Sequence, residues 1–241
     1  ALCERIRHGL FGYGLPGDDT TQAVVNWLQN RHGWTIDPTW LVWTPGLVPA
    51  LNVVCGAFAD PGDEVLTFTP IYPPFLTAAG RSGRIRTICP LKNTEGYYTV
   101  DFDRLKTAVT DRTRVLLLCS PHNPVGRVWE RETLEKLATF CLEHKMLICS
   151  DEIHCDLVLD QRIKHIPTAL LGSDIAEHTM TLMSPAKTFN LPGLNCGFVV
   201  IPNAELRGRY KQAARDIVPH VNVLGYAACR TAFTTGGVWL E

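Results

Sequence analysis

One lysine follows an apolar run of the chain in a position that suits amine chemistry. Lys187 comes shortly after the apolar residues 179–183 and directly before a turn at residues 188–193. This position predicts a partly desolvated cleft, where an amine gives up its proton readily and becomes a nucleophile toward an aldehyde. A single loop lysine is more often a plain surface charge. Lys187 therefore needs partners before it indicates catalysis.

A carboxylate follows a second apolar run. Asp151 comes directly after residues 146–150, so it lies at the end of a predicted buried strand. A buried carboxylate requires a cation or hydrogen-bond donors. Asp151 either caps a helix or pairs with the protonated nitrogen of an aromatic ring, which lets that ring accept electrons from a substrate carbanion. Both interpretations stay open on this residue alone.

A third polar segment, residues 123–127, follows the apolar run 114–119. Its Asn-Pro-x-Gly pattern is typical of a turn. The side-chain amide of Asn123 is also suited to donate to a phenolate oxygen on a bound ring. Arg127 is either a surface charge or a further contributor to the same site, and the sequence does not decide between them.

The segment 44–49 offers a binding place for a phosphate. Its Pro-Gly pair precedes a predicted helix, so the backbone N–H groups of Gly46, Leu47 and Val48 would face an anion at the positive end of the helix dipole. Ser184 could add a hydroxyl donor to the same phosphate. Many helices begin after Pro-Gly, so this segment indicates a phosphate site only together with the other motifs.

Two tyrosines complete the set of candidate site residues. Tyr72 lies among prolines in residues 70–75, where it either stacks on a flat ring or serves in packing. Tyr13 belongs to a glycine-rich loop and, on the sequence alone, is equally a plain loop aromatic.

Alternating helices and strands must position these residues. Helical periodicity is found at residues 22–31, 49–59, 101–109, 130–144 and 204–217, and apolar strands are predicted at 64–68, 114–119, 146–150, 179–183 and 197–201. Continuous apolar strands between amphipathic helices predict an α/β fold whose mainly parallel sheet is covered on both faces. Ligands bind at the carboxyl ends of such strands, which is where Asn123, Asp151 and Lys187 are predicted to converge.

Composition excludes several classes of partner. Hydrophobic residues make up 46% of the chain and charged residues 20%, which is ordinary for a globular protein. The net charge of −1 gives no sign of a nucleic-acid partner or an anionic membrane, and no apolar run is long enough to span a bilayer. Nine scattered cysteines without a C-x-x-C pair favour reduced thiols in a cytoplasmic protein. We expect no metal site.

In combination, the three polar motifs closely resemble those of fold-type I enzymes that use pyridoxal 5′-phosphate (PLP), in the class I/II aminotransferase superfamily. The segments are Asn-Pro-x-Gly-Arg at 123–127, Ser-Asp-Glu-Ile-His at 150–154 and Ser-x-x-Lys-Thr-Phe-Asn at 184–190. Their order and spacing are similar to those of the superfamily, and the resemblance covers essentially the whole chain.

Within that superfamily the chain is most similar to the C–S lyase branch, which comprises cystathionine β-lyases and cysteine-S-conjugate β-lyases. The matching segments are residues 11–13, 44–51, 72–75 and 151–154. Two positions separate the chain from ordinary aminotransferases, because His154 stands where many relatives have tyrosine and Asn195 where they have an arginine for the cofactor phosphate. Pro185 departs from the smaller residue usual after the serine.

The resemblance implies a three-layer α/β/α large domain with PLP as the cofactor. It implies that Lys187 forms the Schiff base, that Asp151 pairs with the pyridine nitrogen and that Asn123 bonds the ring oxygen. The remaining implied contacts are Tyr72 stacked on the ring, His154 next to it, and Gly46, Leu47, Val48 and Ser184 at the phosphate. Of these, Lys187, Asp151 and Tyr72 are the expected catalytic residues. Tyr13 would reach the cofactor of a neighbouring subunit, which implies a homodimer.

The implied reaction is the α,β-elimination of cystathionine or another cysteine S-conjugate to a thiol, pyruvate and ammonia. An aminotransferase that passes the amino group to a 2-oxo acid is the first alternative, and a non-catalytic PLP-fold regulator or an inactive fragment is the second. Because family members are longer, residues 1–241 are expected to be an incomplete large domain without the N-terminal segment and the C-terminal small domain.

Overall fold

A computed structural model describes residues 1–241. The nine strands are β1 (Leu41–Thr44), β2 (Glu64–Thr69), β3 (Ile85–Pro90), β4 (Lys92–Thr94), β5 (Tyr97–Thr99), β6 (Thr113–Cys119), β7 (Leu147–Asp151), β8 (Thr179–Met183) and β9 (Gly197–Val200). The α-helices are α1 (Leu2–His8), α2 (Asp18–His32), α3 (Leu47–Phe58), α4 (Pro73–Arg81), α5 (Phe102–Ala108), α6 (Arg131–Glu143), α7 (Ser173–Glu177), α8 (Pro185–Thr188), α9 (Ala204–Ala214), α10 (Val223–Thr235) and α11 (Gly237–Leu240). Short 3₁₀ helices lie at Pro38–Trp40, Thr168–Leu171 and Pro192–Leu194.

Seven strands form one sheet in the order β1-β9-β8-β7-β6-β2-β3. The pairs β2·β3, β2·β6, β6·β7 and β7·β8 are parallel, whereas β9 pairs antiparallel with both β8 and β1. Only β9 therefore runs against the other strands. Strands β4 and β5 form a separate antiparallel hairpin.

The central strands are buried on both faces, which is why their sequences are continuous apolar runs. Along β6, Val115 and Leu117 belong to one apolar cluster, whereas Leu116 and Leu118 belong to another. This division follows from the strand geometry, since successive side chains point to opposite faces. The first cluster joins the sheet to α3, α4 and α9, and the second joins it to α5 and α6.

A third apolar cluster covers the other end of the sheet. It packs α2 and α10 against β1, β8 and β9. Val24 and Leu28 of α2 are completely buried, and Phe198 of β9 belongs to the same cluster. Helices thus lie on both faces of the sheet, which confirms the predicted three-layer α/β/α domain with a mainly parallel sheet.

Several elements were not anticipated from the sequence. Strand β3 is an edge strand with exposed residues such as Ile85 and Arg86, so it lacks an apolar run. Strand β1 is short, and α4 begins with the prolines at 73 and 74, which conceal its helical pattern. Helix α10 was also missed, although it contributes Tyr226, Cys229, Ala232 and Phe233 to the third cluster.

The helices are each too short or too polar to cross a lipid bilayer. All nine cysteines are free thiols, and eight of them are buried. Burial and not cross-linking therefore accounts for the unusual cysteine content.

Candidate active site

A cavity of about 220 Å³ lies at the carboxyl ends of β6, β7 and β8. It brings together nine of the predicted site residues: Gly46, Leu47, Val48, Tyr72, Asn123, Asp151, His154, Ser184 and Lys187. These residues come from distant parts of the chain. They meet because neighbouring parallel strands have their carboxyl ends at the same edge of the sheet. Asn195 also lines the cavity.

Asp151 is the last residue of β7, and its carbonyl accepts a hydrogen bond from Ser120 N at 2.9 Å. Its carboxylate is buried, and a single protein donor reaches it, Ile153 N at 3.1 Å. Burial raises the pKa of Asp151 to about 7, with a further rise from Glu152, against the opposing effects of Ile153 N–H and the Lys187 ammonium. The carboxylate therefore forms no ion pair within the protein, although its burial favours one.

Lys187 belongs to α8, where Ser184 is the N-cap residue and Pro185 the first helical residue. Proline is well suited to that first position, because the N–H it lacks would have no helical partner. The predicted partly desolvated setting is wrong, since Lys187 is exposed and α8 lies at the mouth of the cavity. The apolar residues before Lys187 are buried in the sheet, whereas the lysine follows their strand, lines the cavity and is exposed to solvent.

Ser184 has a structural role in the same turn. Its Oγ accepts a hydrogen bond from Ala186 N at 3.0 Å and donates to Cys196 O at 2.7 Å. A serine hydroxyl has one proton to donate. Donation from Ser184 to a phosphate would therefore require the bond to Cys196 to break.

The backbone at the start of α3 leaves N–H groups open toward the cavity. Gly46 is the N-cap residue, and its carbonyl accepts a hydrogen bond from Thr44 Oγ1 at 3.0 Å. The N–H groups of Leu47 and Val48 belong to the first helical turn and have no intrahelical acceptor. These groups and the helix dipole make this wall of the cavity favourable for a phosphate.

Tyr72 and Asn123 are tied to one another through their backbones, since Tyr72 N donates to Asn123 O at 3.2 Å. The Tyr72 ring is 43% exposed at the rim of the cavity. Asn123 N lies 3.4 Å from Cys119 Sγ, while the Asn123 side chain makes no hydrogen bond within the protein. Both side chains are therefore free to contact a bound ring.

His154 lies on the segment after β7 and lines the cavity. Burial and, secondarily, the charge of Lys187 hold the pKa of His154 below its usual value. A neutral imidazole can both donate and accept a hydrogen bond. Asn195 adopts a left-handed backbone conformation at φ 48°, at the end of the 3₁₀ turn Pro192–Leu194.

Two sequence candidates lie outside the cavity. Tyr13 is 100% exposed, and its only aromatic neighbour is His220, with ring centroids 6.3 Å apart. Arg127 donates from Nε to Tyr98 O at 2.9 Å and from Nη2 to Glu130 Oε1 at 2.6 Å, and its guanidinium lies 4.1 Å from the centre of the Tyr97 ring. Arg127 thus braces the β4–β5 hairpin instead of contributing to the cavity.

Sequence reasoning missed a buried hydrogen-bonded carboxylate next to Asp151 in the chain. Glu152 is completely buried and its carboxylate accepts from His165 Nε2 at 2.7 Å, Ser150 Oγ at 2.8 Å and Thr168 N at 2.9 Å. The sequence did contain a sign of this arrangement. Glu152 directly follows Asp151, and consecutive residues at a strand end point to opposite faces of the sheet. Asp151 therefore faces the cavity and Glu152 the interior.

These residues fit a phosphorylated pyridine cofactor. One wall of the cavity carries a buried carboxylate without a cation, which a pyridinium N–H would satisfy, and another carries an open helix N-terminus suited to a phosphate. Tyr72 offers an aromatic face, and Lys187 offers a primary amine at the mouth.

The fold and this cavity define a protein of the aminotransferase class I and II family. The model of that family matches residues 6–234, so the chain belongs to it.

Among its relatives is cystathionine beta-lyase PatB of Bacillus subtilis, which is 41% identical over 100% of this chain and 62% of its own length. Cystalysin from Treponema denticola, whose crystal structure contains a pyridoxal 5′-phosphate cofactor, is 36% identical with a TM-score of 0.94, covering 99% of this chain and 61% of cystalysin. N-succinyldiaminopimelate aminotransferase from Mycobacterium tuberculosis is 28% identical with a TM-score of 0.89. The match covers 99% of this chain and 62% of the aminotransferase chain. The chain therefore spans about 62% of the length of PatB.

Proposed function

We propose that this chain is the cofactor-binding part of a PLP-dependent C–S β-lyase. The single observation that carries the proposal is the buried, cation-free carboxylate of Asp151 in the same cavity as the Lys187 amine. The similarity to PatB and to PLP-containing cystalysin supports the same conclusion. The proposed substrate is cystathionine or another cysteine S-conjugate, and the products are a thiol, pyruvate and ammonia.

The residues of the chain have distinct tasks in this proposal. When bound, PLP supplies an electron sink for the negative charge that develops at the substrate α-carbon. Lys187 would hold the cofactor covalently, and its amine would also serve as the general base that removes the α-proton of the substrate. Asp151 keeps the proton on the pyridine nitrogen, and Asn123 donates to the ring oxygen. The N–H groups of the α3 N-terminus hold the phosphate.

Three further residues have proposed contacts: Tyr72 and His154 with the cofactor ring, and Tyr13 with a second subunit. Tyr72 and His154 both line the cavity, where Tyr72 would stack on the ring and His154 would contact it. Tyr13 belongs to an exposed apolar segment that also includes Leu10, Phe11 and Leu15. Such a segment suits an interface, which supports a homodimer in which Tyr13 contacts the neighbouring cofactor. The free thiols support a reducing, cytoplasmic compartment.

An aminotransferase is the second candidate, and the likeness to N-succinyldiaminopimelate aminotransferase favours it. Both reactions use Lys187 and Asp151, so these residues do not separate them. His154 and Asn195 line the cavity where many aminotransferases have tyrosine and arginine, and this difference supports the lyase.

The test uses the complete gene product with PLP, and follows protein-bound cofactor absorbance and pyruvate after addition of cystathionine. We expect an absorbance band distinct from that of free PLP, with pyruvate release. Both should be lost in Lys187→Ala and retained in Lys211→Ala, which removes an exposed lysine of α9. Cofactor binding without pyruvate, together with amine transfer to a 2-oxo acid, would assign the aminotransferase reaction instead. No cofactor band at all would refute both.

A further inference from the structure

A second group of polar side chains, centred on a buried carboxylate, lies outside the cavity. We call it the Asp156 cluster, and its members are Trp27, Arg31, His32, Asp156 and Thr188. The Asp156 carboxylate accepts hydrogen bonds from Thr188 Oγ1 at 2.9 Å, His32 Nε2 at 3.0 Å and Trp27 Nε1 at 3.2 Å. Arg31 Nε lies 3.8 Å from the same carboxylate.

The cluster connects three parts of the fold. Trp27, Arg31 and His32 belong to α2, Asp156 lies on the segment that follows Asp151, and Thr188 is the last residue of α8. The residue before Thr188 is Lys187. One carboxylate therefore links the lysine helix to α2 and to the chain segment that carries the other proposed catalytic residue.

Helix α8 depends on such links, because it has only four residues. A helix of one turn is not stable by itself, and contacts from outside must fix it. At its start, Ser184 Oγ donates to Cys196 O at 2.7 Å. At its end, Thr188 Oγ1 donates to Asp156, and the adjacent Phe189 packs edge-on against Trp27 with ring centroids 5.5 Å apart. The position of Lys187 is thus set by one polar anchor at each end.

A metal ion is a poorer explanation of the cluster. Ligand atoms of His32, Cys155 and Asp156 do lie within 4.8 Å of one another. However, both oxygens of Asp156 already accept hydrogen bonds, and the Arg31 cation is close by. Burial raises the pKa of the Cys155 thiol well above its ordinary value, which keeps the thiol protonated. Metal ligation requires the thiolate.

The charge of Asp156 is retained despite its burial. Burial raises the pKa of this carboxyl, but the hydrogen bonds from His32, Thr188 and Trp27 outweigh that effect and hold it below its usual value. A charged acceptor forms stronger hydrogen bonds than a neutral one. The bond to Thr188 is therefore a firm attachment for α8.

We propose that Asp156 is a positioning residue for Lys187, which it holds through the Thr188 hydroxyl so that the lysine amine stays at the cavity that contains Asp151. This inference deepens the proposed function and rests on it for the role of Lys187. The attachment of α8 itself can be measured without any cofactor.

The first experiment compares amide hydrogen exchange in the apo form of the complete gene product. Thr188→Val keeps the side-chain shape and removes the hydroxyl, whereas Thr188→Ser keeps the hydroxyl. Thr67→Val is the matched control, because Thr67 of β2 is as deeply buried as Thr188 and its Oγ1 donates to Leu117 O of β6 at 3.0 Å, with no contact to α8. We expect exchange at the amides of Phe189 and Leu191, which close the α8 turn, to accelerate at least tenfold in Thr188→Val alone.

The second experiment follows the PLP-loaded forms of the same variants. We expect Thr188→Val to weaken the lysine-dependent absorbance band and to lower kcat about tenfold with KM changed less than threefold, while Thr188→Ser restores both. Unchanged exchange at Phe189 and Leu191 in Thr188→Val would overturn the inference, as would an unchanged band and kcat. If Thr188→Val does not fold, Asp156→Asn takes its place with the same readouts. If the unmodified protein does not bind PLP, the proposed function is refuted. The hydrogen-exchange result would then still test whether Thr188 and Asp156 attach α8.

Discussion

The substitution Asp151→Asn separates the cost of burying this carboxylate from its use in binding a cation. In the chain without cofactor, burial raises the pKa of Asp151 from an ordinary 3.8 to about 7. The unfolded chain therefore ionises near pH 4, whereas the folded chain keeps this proton until about pH 7. Between these values the folded state binds more protons, so the free energy of unfolding falls as the pH rises.

The size of the effect follows from the same two pKa values. Their difference corresponds to about 4 kcal/mol, since one pKa unit is about 1.4 kcal/mol. Asparagine keeps an oxygen that accepts from Ile153 N and never ionises. We expect apo Asp151→Asn to be more stable than the unmodified protein by up to about 4 kcal/mol at pH 8. The difference should disappear near pH 4.

The assay is urea unfolding of both apo proteins at pH 4.5, 6 and 8. Comparing a variant with the parent at each pH cancels the titration of all other groups. Asp111→Asn, which changes an exposed turn carboxylate, is the control and should show no pH-dependent difference. A parent more stable than Asp151→Asn at pH 8, or a difference that does not depend on pH, would refute the claim that the Asp151 carboxylate is unpaired. With PLP present, the order should reverse, because only the carboxylate provides the charge that a pyridinium requires.

Three further substitutions test the surroundings of the cavity. Glu152→Ala removes the acceptor of three buried hydrogen bonds, from His165, Ser150 and Thr168, and should lower the free energy of unfolding by about 3–5 kcal/mol in a urea titration. Gly197→Ala places a methyl carbon 3.0 Å from Leu47 Cδ2, so it should shift the start of α3, cost about 1–3 kcal/mol and weaken PLP binding in a cofactor titration. The control Gly208→Ala, where a methyl group meets no atom, should do neither. Arg127→Ala should lower stability by about 1–2 kcal/mol and leave PLP affinity unchanged in the same titration.

The sequence was sufficient to predict that the candidate site residues converge at one edge of the sheet. Asn123, Asp151 and Lys187 each follow a buried strand, and parallel strands bring such residues to a common edge whatever their separation in sequence. The strands at the edges of the sheet were not predicted, because they have no continuous run of apolar residues. Strand β3 is covered less than the centre of the sheet, and its residues are correspondingly mixed.

The exposure of Lys187 and the attachment of α8 by Asp156 could not be predicted from apolar runs in the sequence. The apolar residues before Lys187 belong to a buried strand, but burial of a strand says nothing about the turn that follows it, and the lysine proves to be exposed. Trp27, Asp156 and Thr188 are far apart in sequence, and only the packing of α2 against the sheet brings them together. The two carboxylates also differ in a way that no motif reveals. Asp156 is surrounded by donors and Asp151 is nearly without them, so the first is suited to hold α8 in place and the second to receive a cation from a ligand.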